Sequence, residues 1–299
     1  MPEMSEDPDL LDGPDLLDSP DLLDREAVLD GVRIAYRDRG AGEPVVFLHG
    51  TPSHSFIWRD VAPEIERAGH RVVLFDLLGY GRSERPLNRD TSVRGQVRVL
   101  QDLLRHLGIE RFNLVAHDIG GAVAQLLATA DPQRVRRLAL VDTVSYDSWP
   151  SETWQAIIRD HLDDYAAMPA RDFEAMLAGQ LRMTAANPDR MSGEVLDAYL
   201  APHRSALGRA SFFEHQVRNY DSTPTQQVVP ALARLTMPVR LLWGAQDTWQ
   251  PLHYAERLAA DIPDAELVVV EDGGHFLMED QPARVRDELL DFLATGERP

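Results

Sequence analysis

Asn113-Leu114-Val115-Ala116-His117-Asp118-Ile119-Gly120-Gly121 changes character at its centre. Asn113 to Ala116 continues a stretch from Arg111 that reads as a strand, and the strand stops abruptly at His117-Asp118. Gly120-Gly121 then opens a helical stretch to about Ala130. A strand that feeds a helix through so short a link must turn sharply. The residue at the apex is forced outward, and its neighbours must be small for strand and helix to pack. Ala116 and Gly120-Gly121 are the small positions, and Asp118 is the apex. Aspartate is also a common helix N-cap, so a purely structural carboxylate is the alternative to a nucleophile.

The same rhythm extends outward. Ala27 to Leu29 and Val32 to Arg37 flank the turn Asp30-Gly31 and read as a hairpin. Pro44 to Leu48 is a short apolar strand ending in His49-Gly50, followed by a helix over 57–68 and a strand over Arg71 to Phe75. Apolar residues at Val93, Val97, Val99, Leu100, Leu103, Leu104 and Leu107 keep helical spacing over 91–107. Val135 to Val141, Val239 to Gly244 and Leu267 to Val270 are further strands, and a last helix runs from about Pro282 to Leu293. Strands alternating with helices predict an α/β fold with a mostly parallel central sheet flanked by helices. The strand rhythm vanishes over 144–235, which predicts a helical cap inserted into a core made of 27–143 and 236–299.

Residues 1–26 repeat Pro-Asp-Leu-Leu-Asp from Pro8, Pro14 and Pro20. A proline every sixth residue blocks a continuous helix, and so acidic a segment is expected to be a disordered tail. The 299-residue chain carries a formal charge of −19, of which −9 lies in residues 1–26 and −10 in the rest. Such a balance argues against nucleic acid and anionic lipid as partners. There is no cysteine and no lysine, which removes thiolate, disulfide and Schiff-base chemistry. No His-x-x-x-His or carboxylate cluster suggests a metal, and no phosphate-binding glycine loop suggests a nucleotide, so no cofactor is expected. With neither a basic start followed by an apolar run nor a spanning segment, a cytoplasmic monomer or homodimer is the expectation.

Six motifs stand in order along residues 27–295. They are His49-Gly50-Thr51-Pro52, Ser55-Phe56-Ile57-Trp58-Arg59, Asp76-Leu77-Leu78-Gly79-Tyr80-Gly81-Arg82-Ser83, the Asp118 turn, Gly244-Ala245-Gln246-Asp247 and Gly273-Gly274-His275-Phe276. In this set the chain resembles the α/β-hydrolase superfamily, in the branch of haloalkane dehalogenases, fluoroacetate dehalogenases and epoxide hydrolases. The resemblance implies an enzyme with Asp118 as covalent nucleophile, His275 as general base and Asp247 as the acid that orients it. Some members carry that acid after the preceding strand, where Asp142 and Asp147 stand here. Position implies that the backbone N–H groups of Thr51 and Ile119 form the oxyanion hole.

A carboxylate nucleophile displaces a leaving group from a saturated carbon and gives an alkyl-enzyme ester that activated water then cleaves. The substrate is expected to be a small molecule, an epoxide first and an alkyl halide second. A third reading is a ligand-binding or non-hydrolytic member of the fold, against which the complete Asp118, His275 and Asp247 set argues. Haloalkane dehalogenases place asparagine or tryptophan after His-Gly and after the nucleophile, where this chain has Thr51 and Ile119. Fluoroacetate dehalogenases carry an arginine after the nucleophile, which is also missing. Epoxide hydrolases use cap tyrosines, for which Tyr146, Tyr165, Tyr199 and Tyr220 are candidates. Trp58, Tyr146, Trp149, Phe212, Phe213 and His215 are the candidate substrate-binding side chains, with Trp149 able to offer an indole N–H.

Overall fold

The computed structural model describes residues 22–294. The strands are β1 (Arg25–Leu29), β2 (Val32–Arg39), β3 (Pro44–Leu48), β4 (Arg71–Phe75), β5 (Phe112–His117), β6 (Val135–Val141), β7 (Val239–Gly244) and β8 (Ala265–Val270). They form one sheet in the order β1-β2-β4-β3-β5-β6-β7-β8. The β1–β2 and β2–β4 pairings are antiparallel and all the others are parallel. Every residue of β5 and β7 is buried, as parallel strands covered on both faces must be.

The helices α1 (Ala62–Arg67), α2 (Val93–His106) and α3 (Ile119–Ala130) follow β3, β4 and β5. Between β6 and β7 come α4 (Glu152–Ala156), α5 (Leu162–Ala166), α6 (Ala170–Arg182), α7 (Gly193–Leu200), α8 (Ala206–Ser211) and α9 (Thr223–Leu232), with no strand among them. After β7 come α10 (Leu252–Asp261), α11 (Leu277–Asp280) and α12 (Pro282–Ala294). The α2 stripe buries Val93, Val99, Leu100, Leu103 and Leu104, and Ser92 caps the helix by accepting the Gly95 N–H. No described helix is long and apolar enough to cross a membrane.

Two expectations need correction. The tail ends earlier than residue 26: Arg25 and Glu26 belong to β1, and Leu23 is buried with its carbonyl bonded to Arg82. The Pro-Asp-Leu-Leu-Asp repeats lie almost wholly outside the described residues. The helix expected over 57–68 is broken: Ser55–Trp58 makes a single tight turn, and α1 begins only at Ala62. Pro63 explains the break, because its missing N–H is tolerated only in a helix's first turn.

Candidate active site

β5 ends in the middle of the sheet, between β3 and β6, and delivers Asp118 to the sheet's carboxyl edge. Asp118 has φ 49° and ψ −121°, outside the regions that ordinary residues occupy. The surroundings impose that strain. A Cβ on Gly121 would lie 1.5 Å from Thr143 Oγ1, and one on Gly120 would lie 2.5 Å from the His49 carbonyl oxygen. Although Asp118 stands at the N-terminus of α3, its side chain makes no cap hydrogen bond to that helix. The carboxylate points away from the helix, contrary to the structural alternative.

The carboxylate's partners come from two other segments, the loop after β3 and the loop after β8. The Thr51 backbone N–H donates to Asp118 Oδ1 at 2.7 Å. Gly50 permits this approach, because a Cβ there would fall 2.3 Å from Asp118 Cβ. His49 braces the same loop: its Nε2 accepts the Leu77 N–H at 2.9 Å, which leaves Nδ1 as donor to the Gly50 carbonyl at 2.8 Å. Burial lowers its pKa to about 4 and keeps it neutral. His275 Nε2 lies 3.5 Å from Asp118 Oδ2, and His275 Nδ1 bonds Asp247 Oδ2 at 2.9 Å. The other oxygen of Asp247 accepts the N–H groups of Trp249 and Gln250 at 2.7 and 2.8 Å.

Burial works against charge on Asp118, but the hydrogen bond and charge of His275 outweigh it and hold the carboxyl below its ordinary range. Burial likewise opposes an imidazolium at His275. The charge of Asp247, and then Asp118, reverses the balance and raises its pKa well above the usual value. The two neighbouring carboxyls thus favour the charged form of His275. Asp142, the acid after β6, is wholly buried, and its Oδ1 accepts the Gly244 N–H at 2.8 Å. Asp147 is exposed and meets Tyr254 instead.

Asp118 and His275 open onto a cavity of about 120 Å³. Of the six candidate substrate-binding side chains, Trp149 and Phe212 line it. The other four do not. Trp58 packs on Phe47 in the core, with ring centroids 5.2 Å apart. Tyr146 turns away with φ 51° and donates to Asp261 at 2.9 Å, beneath the Arg257 guanidinium. Phe213 packs on Phe173 and Phe212. His215 donates from Nε2 to the Pro86 carbonyl at 2.8 Å.

Among the cap tyrosines, Tyr220 reaches the cavity and its hydroxyl lies 2.8 Å from Thr51 Oγ1. Tyr199 instead donates to Glu279 at 2.5 Å, and Tyr165 packs beside Trp154. The indole N–H of Trp149 is buried without an acceptor, and its ring meets that of Tyr220 at 5.4 Å. Sequence reading passed over Trp154 and Trp249 as lining residues. Trp249 had a signal, since it stands two residues after Asp247. Trp154 had none beyond its place in the cap. An ionised buried carboxylate, a donor fixed on one of its oxygens and a histidine on the other can together perform nucleophilic displacement followed by hydrolysis.

The family model for the alpha/beta hydrolase fold matches residues 43–282. Haloalkane dehalogenase 2 of Mycobacterium bovis is 30% identical over 276 residues, which cover 87% of this chain and 91% of that protein. The crystal structure of an α/β-hydrolase fold protein from Burkholderia ambifaria superposes with a TM-score of 0.84 at 32% identity, covering 90% of this chain and 97% of that one. An epoxide hydrolase solved without ligand superposes with a TM-score of 0.72 at 26% identity, covering 90% and 98%. With a sheet of this order, an aspartate at the strained turn after β5 and these relatives along most of its length, the chain is an enzyme of the α/β-hydrolase fold family, on its dehalogenase- and epoxide hydrolase-like branch.

Proposed function

We propose that the enzyme hydrolyses a small uncharged substrate at a saturated carbon through an ester on Asp118, with an epoxide as the leading substrate class. The observation that carries this reading is the Asp118 carboxylate itself: strained, ionised, uninvolved in capping, and held by the Thr51 N–H on one oxygen and His275 on the other. Apart from Asp118 and His275 the described side chains lining the cavity carry no charge, and His275 is already paired with Asp118 and Asp247, so an anionic substrate has no free counter-ion there.

In the first step Asp118 Oδ2 attacks the carbon, and the bond from that carbon to the leaving atom breaks. An opening epoxide oxygen needs a proton, which Tyr220 supplies, while the Trp149 N–H donates a hydrogen bond. The tyrosinate regains its proton from His275. Esterification helps this transfer, because it removes the Asp118 charge that favours the imidazolium. At about 4 Å and an effective dielectric of about 20, one such charge is worth about 4 kcal/mol, or about three pK units.

In the second step neutral His275 takes a proton from water, and the resulting hydroxide adds to the ester carbonyl. The oxyanion forms at Oδ1, against the N–H groups of Thr51 and Ile119. Collapse breaks the bond from Cγ to Oδ2, His275 returns its proton to the departing alcohol, and Asp118 keeps one oxygen from water. The carboxyl so formed then gives its proton to His275, which restores the resting charges. The net reaction of an epoxide with water is a diol. An alkyl halide is the second reading, favoured by the Trp149 N–H and by the mycobacterial relative. There the halide leaves as an anion and needs hydrogen bonds, not a proton, and His275 releases its proton to solvent before hydrolysis.

A single turnover in ¹⁸O-labelled water tests the route, because the label should enter Asp118 before it reaches product. A His275→Gln variant offered epoxides and halides should accumulate an adduct on Asp118 by mass spectrometry. Label that appears directly in product, with unchanged activity in Asp118→Ala, would overturn it.

A further inference from the structure

β6 and β7 are parallel neighbours with Val141 opposite Leu242, and the Asp142 N–H donates to the Leu242 carbonyl at 3.0 Å. Asp142 then turns with φ 41°, a left-handed conformation uncommon for any residue but glycine. The turn places its carboxyl beneath the end of β7, where Oδ1 accepts the Gly244 N–H. Oδ2 is fully buried and has no donor. The same Gly244 anchors the turn of Asp247, whose N–H donates to the Gly244 carbonyl at 3.1 Å, so both buried acids are tied to one residue.

Two buried carboxylates that share one site do not both ionise. The proton goes to the one whose charge is less well supported. Asp247 receives three hydrogen bonds, from His275 Nδ1, Trp249 N–H and Gln250 N–H. Asp142 receives one. The other titratable groups nearby are His275, with Asp118 beyond it, and His117. His117 donates to the His275 carbonyl at 2.9 Å, and burial and the neighbouring His275 push its pKa down to about 3, so it brings no positive charge. Burial, and then the charge of Asp247, correspondingly push the Asp142 carboxyl well above the carboxylate range.

We infer that Asp142 is a protonated acid that donates its hydrogen bond to Asp247, so that His275 is held by a carboxylic acid–carboxylate pair sharing one negative charge. Asp142 is then a positioning residue that acts through Asp247. Its consequence rests on the role of His275 given above. By drawing electron density from Asp247, the shared proton weakens the hold on the imidazolium. His275 can then lose its proton once Asp118 is esterified.

Three variants of the full chain separate the alternatives. Asp142→Asn keeps a neutral donor and should leave the pH midpoint of ester hydrolysis and the turnover rate near wild type. Asp142→Val removes the donor, and should move that midpoint up by about one unit and slow hydrolysis at neutral pH by about tenfold. Asp247→Asn should lose far more. A midpoint that falls in Asp142→Asn would show that an ionised carboxylate had been removed, and would overturn the proposal. A folded Asp142→Val with wild-type behaviour would overturn it as well.

Infrared difference spectra of resting enzyme need no turnover and do not depend on how well Asp142→Val folds. Wild type minus Asp142→Asn should show the carbonyl stretch of a protonated carboxylic acid, shifted in D₂O. A difference confined to carboxylate bands would sink the shared proton. Failure to trap any ester on Asp118 would instead sink the hydrolytic route and leave this band untouched.

Discussion

Asp280 Oδ2 accepts the Gly274 backbone N–H at 2.8 Å, one residue before His275. The same oxygen accepts the Ala186 N–H at 2.7 Å, and Oδ1 accepts that of Asn187 at 3.2 Å. One carboxylate therefore ties the histidine loop to the segment after α6. The Phe276 N–H adds a bond to the Thr184 carbonyl at 2.9 Å, and Thr184 lines the cavity. Asp280→Ala would strand the buried Gly274 donor and free the part-buried donors of Ala186 and Asn187, at a cost of about 3 kcal/mol. We expect a lower denaturant midpoint and, in the protein that remains folded, a slower hydrolysis step with less change in ester formation. Stopped-flow single turnovers separate the two steps. Equal slowing of both would show that the contact holds the fold alone.

Gly50→Ala tests how closely the loop after β3 must approach Asp118. The added Cβ would sit 2.6 Å from Asp118 Oδ1, so either the loop or the carboxylate must move. A shift of about 1 Å at a reacting atom costs on the order of 100-fold. The initial rate of ester formation in a variant folded by circular dichroism is the measurement, and activity within twofold of wild type would contradict the steric account.

The Asp118 turn was legible because its cause is local. Strand, turn and helix occupy adjacent residues, and close approach selects Ala116, Gly120 and Gly121 without reference to the rest of the chain. The order of the acid and histidine loops was legible for a related reason, since each follows a readable strand. The choice among Asp142, Asp147 and Asp247 was not, because it depends on how β6, β7 and β8 lie side by side. The cap was least readable. Aromatic side chains on short helices suit a core, a pocket or a surface equally well. Trp58 and Phe213 went to the core, and Tyr146 was captured by Asp261 and Arg257. Tyr220 reaches the cavity, with its hydroxyl beside that of Thr51.

Trp149→Phe and Tyr220→Phe should separate the two leaving groups. Both keep an aromatic ring and remove one donor. A hydrogen bond to a charged group is worth about 1.5–3 kcal/mol, so loss of the Trp149 N–H should slow ester formation by about 10- to 100-fold with either substrate class. Loss of the Tyr220 hydroxyl should cost an epoxide more than a halide, because only the epoxide oxygen must receive a proton. Steady-state kcat/KM with matched epoxide and bromide substrates gives the comparison. Equal losses in Tyr220→Phe would remove it as the acid.

Asp118→Asn should lower the pKa of His275. The ordinary imidazole value is 6.5, and the structure raises it through Asp247 and Asp118 against the opposing effect of burial. With Asp118 neutral, only one carboxylate opposes burial, and the midpoint should fall by about one unit or more. NMR titration of the His275 ring protons reads it directly. Stability follows with a defined sign. A raised histidine pKa stabilises the fold fully below pH 6.5, and that contribution fades as pH climbs through the folded value. The depressed Asp118 pKa stabilises above the ordinary 3.8, and that contribution fades as pH falls through the folded value. Urea midpoints should therefore decline for wild type as pH rises beyond neutrality, and decline less for His275→Gln. A His275 titration unmoved by Asp118→Asn would mean that Asp247 alone holds the proton, and the release of His275 on esterification would lose its cause.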